Sequence, residues 1–284
     1  MVTTMSGTLY LVATPIGNLG DFSPRAVETL LSVDFIAAED TRVTIKLLNY
    51  FGIKKPLISY FEHNRMQSGE KIVERLRNGE NVALVSDAGM PAISDPGEDL
   101  VRLCARDGIN VLTVPGPCAV VSALAVSGQS TQRFTFEGFL NTSSKNRTEH
   151  LESLRDEKRT MIIYEAPHKL MGTLVDLKET FGGERELSLC REITKIHEET
   201  IRTTIDGAIE LYSNISPRGE YVLVIKGKED STEQEMTLEQ ALKRVEFYRN
   251  EGKSLKQAAK CAAEDTGYSK NILYNAAVGN LQQP

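Results

Sequence analysis

The chain has 284 residues, with 33 Lys and Arg against 39 Asp and Glu, a formal net charge of −6, 40% hydrophobic residues and 25% charged ones. This composition excludes disordered and collagen-like chains, and the length corresponds to about two domains. The negative balance argues against indiscriminate nucleic-acid binding and leaves room for a local basic patch.

In chain order, Thr8–Ala13 reads as a short buried strand, and Ser23-Pro24 opens a helix with Ser as cap and Pro in the first turn. Strand Asp34–Ala38 precedes helix Arg42–Phe51, strand Leu57–Phe61 precedes helix Gln67–Arg77, and strand Val82–Ser86 precedes helix Glu98–Arg106. Val111–Val114 then leads through Pro115-Gly116-Pro117 into helix Ala119–Val126. Strict alternation of apolar strands with helices predicts an α/β fold with a mostly parallel sheet. After Gly128-Gln129-Ser130 the rhythm changes. Strands fit Phe134–Leu140, Met161–Tyr164, Leu187–Cys190, Thr200–Ile205 and Tyr221–Ile225, and helices fit Arg147–Arg155, Lys169–Phe181 and Asp206–Ser213. The third and fourth of these strands have no helix between them, which predicts a mixed second sheet. From Glu229 the chain is acidic (Asp230, Glu233, Glu235) and then helical from Leu238, with Ser254 and Ser269 as caps and Gly267 as a stop. The expected organisation is therefore 1–130, 131–228 and a helical segment 229–284. Lys243–Lys270 carries seven Lys/Arg and four Asp/Glu, a balance of +3 that marks either a nucleic-acid contact or a solvated helical cap.

Cys104, Cys118, Cys190 and Cys261 are far apart with no C-x-x-C pair, which predicts no metal site and no disulfide framework, and a reducing, cytoplasmic setting. No run of 18 apolar residues and no secretory leader pattern occurs, so no membrane partner is expected.

In open α/β sheets ligands bind beyond the carboxyl ends of the strands. Here those positions are rich in Gly, Pro and small polar residues: Thr14–Asp21, Glu39–Arg42, Ser86–Pro91, Ile93–Gly97 and Pro115–Pro117. This predicts a ligand held largely by backbone, with Asp87 as a charged anchor. No G-x-G-x-x-G exists, and Gly252-Lys253-Ser254 lacks the first P-loop glycine, since Phe247 stands there. A ligand without phosphates, such as S-adenosylmethionine, suits these turns better than NAD or ATP.

VATPIGNLGD, AAEDTR, LVSDAGMPAISDPG, VPGPCA, FTFEGFL, YEAPHK, REITKIHEE and RGEYVLVIKG occur in that order. Together they resemble the tetrapyrrole-methylase superfamily of S-adenosylmethionine-dependent methyltransferases over roughly Gly7–Lys226. Within it they resemble the branch that methylates the ribose 2′-hydroxyl of a cytidine (cytidine 1402) in the decoding centre of 16S ribosomal RNA. The resemblance implies two α/β domains with the cofactor between them, usually as a homodimer, and 16S ribosomal RNA, within the small subunit and not DNA, as partner. It implies cofactor contacts from Pro15, Gly17, Ser86, Asp87, Ala88, Gly89, Pro91, Ile93, Ser94, Gly116, Ala119 and Tyr164. Two positions depart from the family pattern: Met90 where the loop usually reads Thr, and Leu140-Asn141 where it usually reads Leu-Pro.

Methyl transfer to a hydroxyl needs alignment and a base for the departing proton. Of the carboxylates at strand ends (Asp21, Glu39, Asp40, Asp87, Glu165, Glu192, Glu220), Asp40 and Glu192 are the leading base candidates; the alternative is that each pairs with a neighbouring arginine to lock a loop. Phosphates require cations, and Arg42, Lys145, Arg147, His168, Lys169, Arg191 and Lys195 lie in or beside the matched motifs. Two rivals remain open: a methyltransferase acting on a small corrinoid or porphyrin, and a ribosome-binding assembly factor without turnover.

Overall fold

The computed structural model describes residues 6–229 and 236–280, so the acidic opening at Asp230, Glu233 and Glu235 lies outside the described residues. These residues fall into two compact units, the first ending at Lys228 and the second beginning at Glu229.

The first unit opens with a sheet of five parallel strands, β1 (Thr8–Val12), β2 (Phe35–Ala38), β3 (Leu57–Ser59), β4 (Val82–Val85) and β5 (Asn110–Val114), ordered β3-β2-β4-β1-β5. Strands β2 and β4 are buried at every residue, as expected of parallel strands covered on both faces. Helices α1 (Pro24–Ser32), α2 (Thr41–Tyr50), α3 (Arg65–Arg77) and α4 (Glu98–Arg106) connect them. Ser23 caps α1, accepting from the Ala26 backbone N at 3.1 Å with Pro24 at the first helical position, so the Ser-Pro start is seen as read. Asp40 caps α2 and moves its start one residue ahead of the expected Arg42.

Helix α5 (Ala119–Ser127) ends the first run of elements but packs on the second sheet. Its Val120, Ala123 and Leu124 meet Ile162, Cys190, Val222 and Val224. The Ser127 carbonyl accepts hydrogen bonds from Ser188 Oγ at 2.8 Å and Arg202 Nε at 3.1 Å. The change of rhythm near residue 130 therefore follows a helix whose apolar surface is satisfied by the next sheet, and both sheets belong to one compact unit.

The second sheet is mixed, as expected: β6 (Phe134–Phe139), β7 (Thr160–Glu165), β8 (Glu186–Arg191), β9 (Glu199–Thr204) and β10 (Tyr221–Ile225), ordered β6-β7-β10-β8-β9. Only β6 and β7 pair in parallel. Helices α6 (Ser144–Ser153), α7 (Leu170–Phe181) and α8 (Ile205–Asn214) cover its other face with a large leucine- and isoleucine-rich core.

The second unit holds α9 (Leu238–Asn250), α10 (Leu255–Thr266) and α11 (Lys270–Asn280) around its own core of Ala241, Val245, Ala258, Ala259, Ala262 and Leu273. Capping boxes start α9 (Thr237 with Gln240) and α10 (Ser254 with Gln257), and left-handed Gly267 ends α10. Among the described residues no helix is long and apolar enough to cross a membrane.

Candidate active site

A cavity of about 570 Å³ lies between the carboxyl ends of the first sheet and the facing edge of the second. It is built by two loops. The first runs from β4 to α4 and contains Asp87, Ala88, Gly89, Met90, Ile93, Ser94 and Asp95; the second follows β8 and contains Glu192, Ile193 and Lys195. Thr14 pins the first loop from the end of β1: it exchanges backbone hydrogen bonds with Gly89 at 2.9 and 3.1 Å, and its hydroxyl donates to the Ser86 carbonyl at 3.1 Å. Ala92, Ser94, Glu192 and Thr194, the non-glycine residues with positive φ among the described residues, all fall in these two loops. Each such conformation costs about 1–3 kcal/mol and persists only where surrounding structure enforces it, which is typical of functional loops.

The turn after β1 meets the second loop at Gly17. A Cβ there would sit 2.4 Å from Lys195 Cγ and 3.0 Å from Thr194 Oγ1, so only glycine admits the second loop this close. Lys195 Nζ in turn donates to Glu192 Oε1 and Glu220 Oε2, each at 2.8 Å. Opposite, a β-bulge at Gly138 (φ +63°) shifts the register of β6 against β7 and presents Phe139 to the cavity. Phe139 is 61% exposed and stands edge-on to Tyr164, ring centres 5.4 Å apart, with Phe136 on the same tyrosine at 4.9 Å.

The walls mix apolar surface (Ile16, Ile93, Ile193, Val222) with an excess of carboxylates: Glu39, Asp87, Asp95, Glu165, Glu192 and Glu220 against Lys195 and His168. Burial raises the pKa values of Glu39 and Asp87, with neighbouring carboxylates adding to it. Asp95 is pushed up to about 6 by burial, then by Glu39 and Asp87. Like charges crowded into a partly buried cleft favour a cationic ligand and disfavour phosphate. Among the described residues no group of three or more His, Cys, Asp or Glu is arranged to hold a metal ion.

Of the expected cofactor residues, Asp87, Ala88, Gly89, Ile93, Ser94, Ala119 and Tyr164 line the cavity. Pro15, Gly17, Ser86, Pro91 and Gly116 do not line it. Gly17 admits the second loop, buried Ser86 accepts the Thr14 hydroxyl through its carbonyl, and Gly116 lies against Ala13. Of the base candidates, Glu192 lines the cavity, its acidity strengthened by Lys195. Asp40 does not line it; its carboxylate caps α2 and grips Arg42 at 2.6 Å, which holds it down at about 2.

The expected RNA contacts divide in the same way. His168 and Lys195 line the cavity. Arg42 is exposed beside Asp40, Lys145 is exposed on α6, and Lys169 is exposed at the start of α7. Arg191 pairs with Glu199 at 3.0 Å. Arg147 turns inward, its guanidinium bonding Asp176 at 2.5 Å and Thr173 Oγ1 at 2.7 Å, so it holds α6 to α7. Sequence reasoning missed Phe139 as a cavity residue, for which Gly138 was the available sign, and placed Asp95 only within the Ile93–Gly97 turn without naming it as a contact.

Residues 8–209 match the model of the "Tetrapyrrole (Corrin/Porphyrin) Methylases" family. The chain belongs to this family. Residues 250–281, which span α10 and α11, match an "RsmI C-terminal HTH domain". Relatives named "Ribosomal RNA small subunit methyltransferase I" extend over nearly the whole chain. That of Synechocystis sp. is 47% identical, covering 96% of this chain and 98% of its own length; that of Haemophilus influenzae is 45% identical, covering 99% and 100%. Among solved structures, uroporphyrin-III-C-methyltransferase from Thermus thermophilus aligns with a TM-score of 0.54 at 19% identity, over 77% of this chain and 94% of its own. A diphthine synthase aligns at 0.59 and 12% identity, over 78% and 90%. These two likenesses show the fold, two α/β sheets of the family's type, and the family makes the chain a methyltransferase.

Proposed function

We propose that the chain transfers a methyl group from S-adenosylmethionine to the ribose 2′-hydroxyl of cytidine 1402 in the decoding centre of 16S ribosomal RNA. The observation that carries this reading is the acid-lined, partly apolar cavity between the sheets, in a chain whose near full-length relatives are named for small-subunit ribosomal RNA methylation. The donor set fits the cofactor. Glu39, Asp87 and Asp95 offer negative charge to a sulfonium and an ammonium, while Ile16, Ile93, Phe139 and Tyr164 offer surface to an aromatic base. When bound, S-adenosylmethionine supplies an activated methyl group.

The chain's own contribution is alignment and proton management. The strained loops hold the cavity in one shape before substrate arrives. Glu192, ionised through Lys195 and anchored by the Glu220 backbone N at 3.1 Å, faces the cavity as acceptor for the hydroxyl proton. The RNA reading also uses exposed Lys145 and Lys169 and the basic helices of the second unit. A homodimer in the cytoplasm, acting on RNA within the small subunit, completes the proposal.

The test is transfer of radiolabel from S-adenosylmethionine to purified small subunits, with the product mapped as a 2′-O-methyl group. Label in 16S ribosomal RNA at that ribose, lost in Glu192→Gln with cofactor affinity kept, supports the reading. Label that enters only a corrinoid or porphyrin, or no transfer at all, refutes it.

A further inference from the structure

A second cavity of about 500 Å³ opens beyond β8, β9 and β10, and Tyr221 lines both it and the acid-lined cavity. Its other walls include Arg191, Arg218, Tyr212, Asn214 and Ile215. Resting on the proposed RNA reading, we infer that this second cavity is an RNA subsite, taking the phosphodiester and base of a nucleotide adjoining the one whose ribose is methylated.

A ribose 2′-hydroxyl lies beside its own 3′ phosphate, so an enzyme that draws that ribose in must also place the next phosphate. The acid-lined cavity disfavours it, because six carboxylates face Lys195 and His168 there. Across the Tyr221 wall the balance reverses: two arginines face one carboxylate, Glu199. Arg191 is already held by Glu199 at 3.0 Å and by the Arg218 carbonyl at 3.5 Å, which fixes its guanidinium in the wall. Arg218 is exposed, and among the described residues no hydrogen bond or ion pair engages its side chain. A free arginine beside a fixed one is a suitable receptor for phosphate oxygens.

The rest of the wall suits a base. Ile215 is 55% exposed and Asn214 lies beside it, so the cavity offers an apolar surface next to an amide that both donates and accepts. The floor is rigid. Tyr212 and Tyr221 are buried edge-to-face with centroids 5.8 Å apart, and the Tyr221 hydroxyl accepts from the Arg218 backbone N at 3.3 Å. That bond ties the free arginine's backbone to the residue shared by the two cavities.

The experiment measures methyl transfer to purified small subunits by Arg218→Glu, with Arg218→Lys as the conservative variant and S-adenosylmethionine affinity measured alongside. The expected result for Arg218→Glu is a KM for the RNA substrate raised at least tenfold, a salt dependence of RNA binding reduced by about one unit of log–log slope, and unchanged cofactor affinity. Arg218→Lys should regain part of the loss. An Arg218→Glu enzyme with wild-type KM and salt slope overturns the subsite. A wild-type enzyme that does not label 16S ribosomal RNA overturns the functional reading instead, so the two failures are separable.

Discussion

Asp95→Asn isolates the electrostatic strain of the cavity. The Asp95 carboxyl ionises near 3.8 in an unfolded chain and is pushed up to about 6 in the folded one by burial and by Glu39 and Asp87. Between those values the folded protein holds a proton that the unfolded chain has released, so stability falls as pH rises from about 4 to about 6 and is level above about 7. A shift of roughly two units corresponds to at most about 3 kcal/mol, and solvent screening of this partly exposed group reduces it to about 1–2 kcal/mol. Asparagine matches the neutral carboxyl in shape, so the variant should equal wild type near pH 4 and exceed it at pH 8. The expected gain in midpoint temperature is about 3–6 °C at pH 8 for a unit of this size. The same substitution removes negative charge from the cationic ligand's site, so S-adenosylmethionine affinity should fall about 5- to 20-fold at pH 8 and little at pH 5. Calorimetric unfolding and titration at the two pH values check both parts. A stability difference that is the same at pH 4 and pH 8 refutes the reasoning, because it would leave nothing for the Asp95 charge to explain.

Gly17→Ala should leave the first sheet folded but displace Lys195, whose Cγ occupies the Cβ position; cofactor binding and activity should fall at least tenfold, read by calorimetry and turnover. Arg147→Ala should destabilise the first unit by about 1–2 kcal/mol, through loss of the partly buried contact with Asp176 and Thr173, while Lys145→Glu should leave thermal stability unchanged and raise the KM for RNA. Ending the chain at Lys228 removes a unit with its own core, so cofactor affinity should persist and the loss should appear in the KM for the small subunit; a collapse of thermal stability would show the helices acting as a structural cap instead.

Much of the fold was legible in the residues because its causes are local. Apolar runs of four or five residues between Gly and Ser/Pro punctuation made the parallel strands readable, and Ser23-Pro24 and Ser254 placed helix starts through their own hydrogen bonds. The ordered motifs marked the turns at the strand ends, of which Asp87, Ala88, Gly89, Ile93, Ser94 and Ala119 line the cavity, while Gly17 instead admits the loop after β8. Tertiary structure alone decided which charged residues are available. The Asp40–Arg42 pair is local and was among the alternatives the sequence offered, but Arg147 turns in toward Asp176, Lys195 crosses to Gly17, and among the described residues nothing engages the Arg218 side chain. For Arg147 and Lys195 the meeting is set by elements tens of residues away, and no periodicity or spacing encodes it. The raised pKa of Asp95 has the same origin: it exists only once β2, β4 and their loops bring Glu39, Asp87 and Asp95 together and partly bury Asp95.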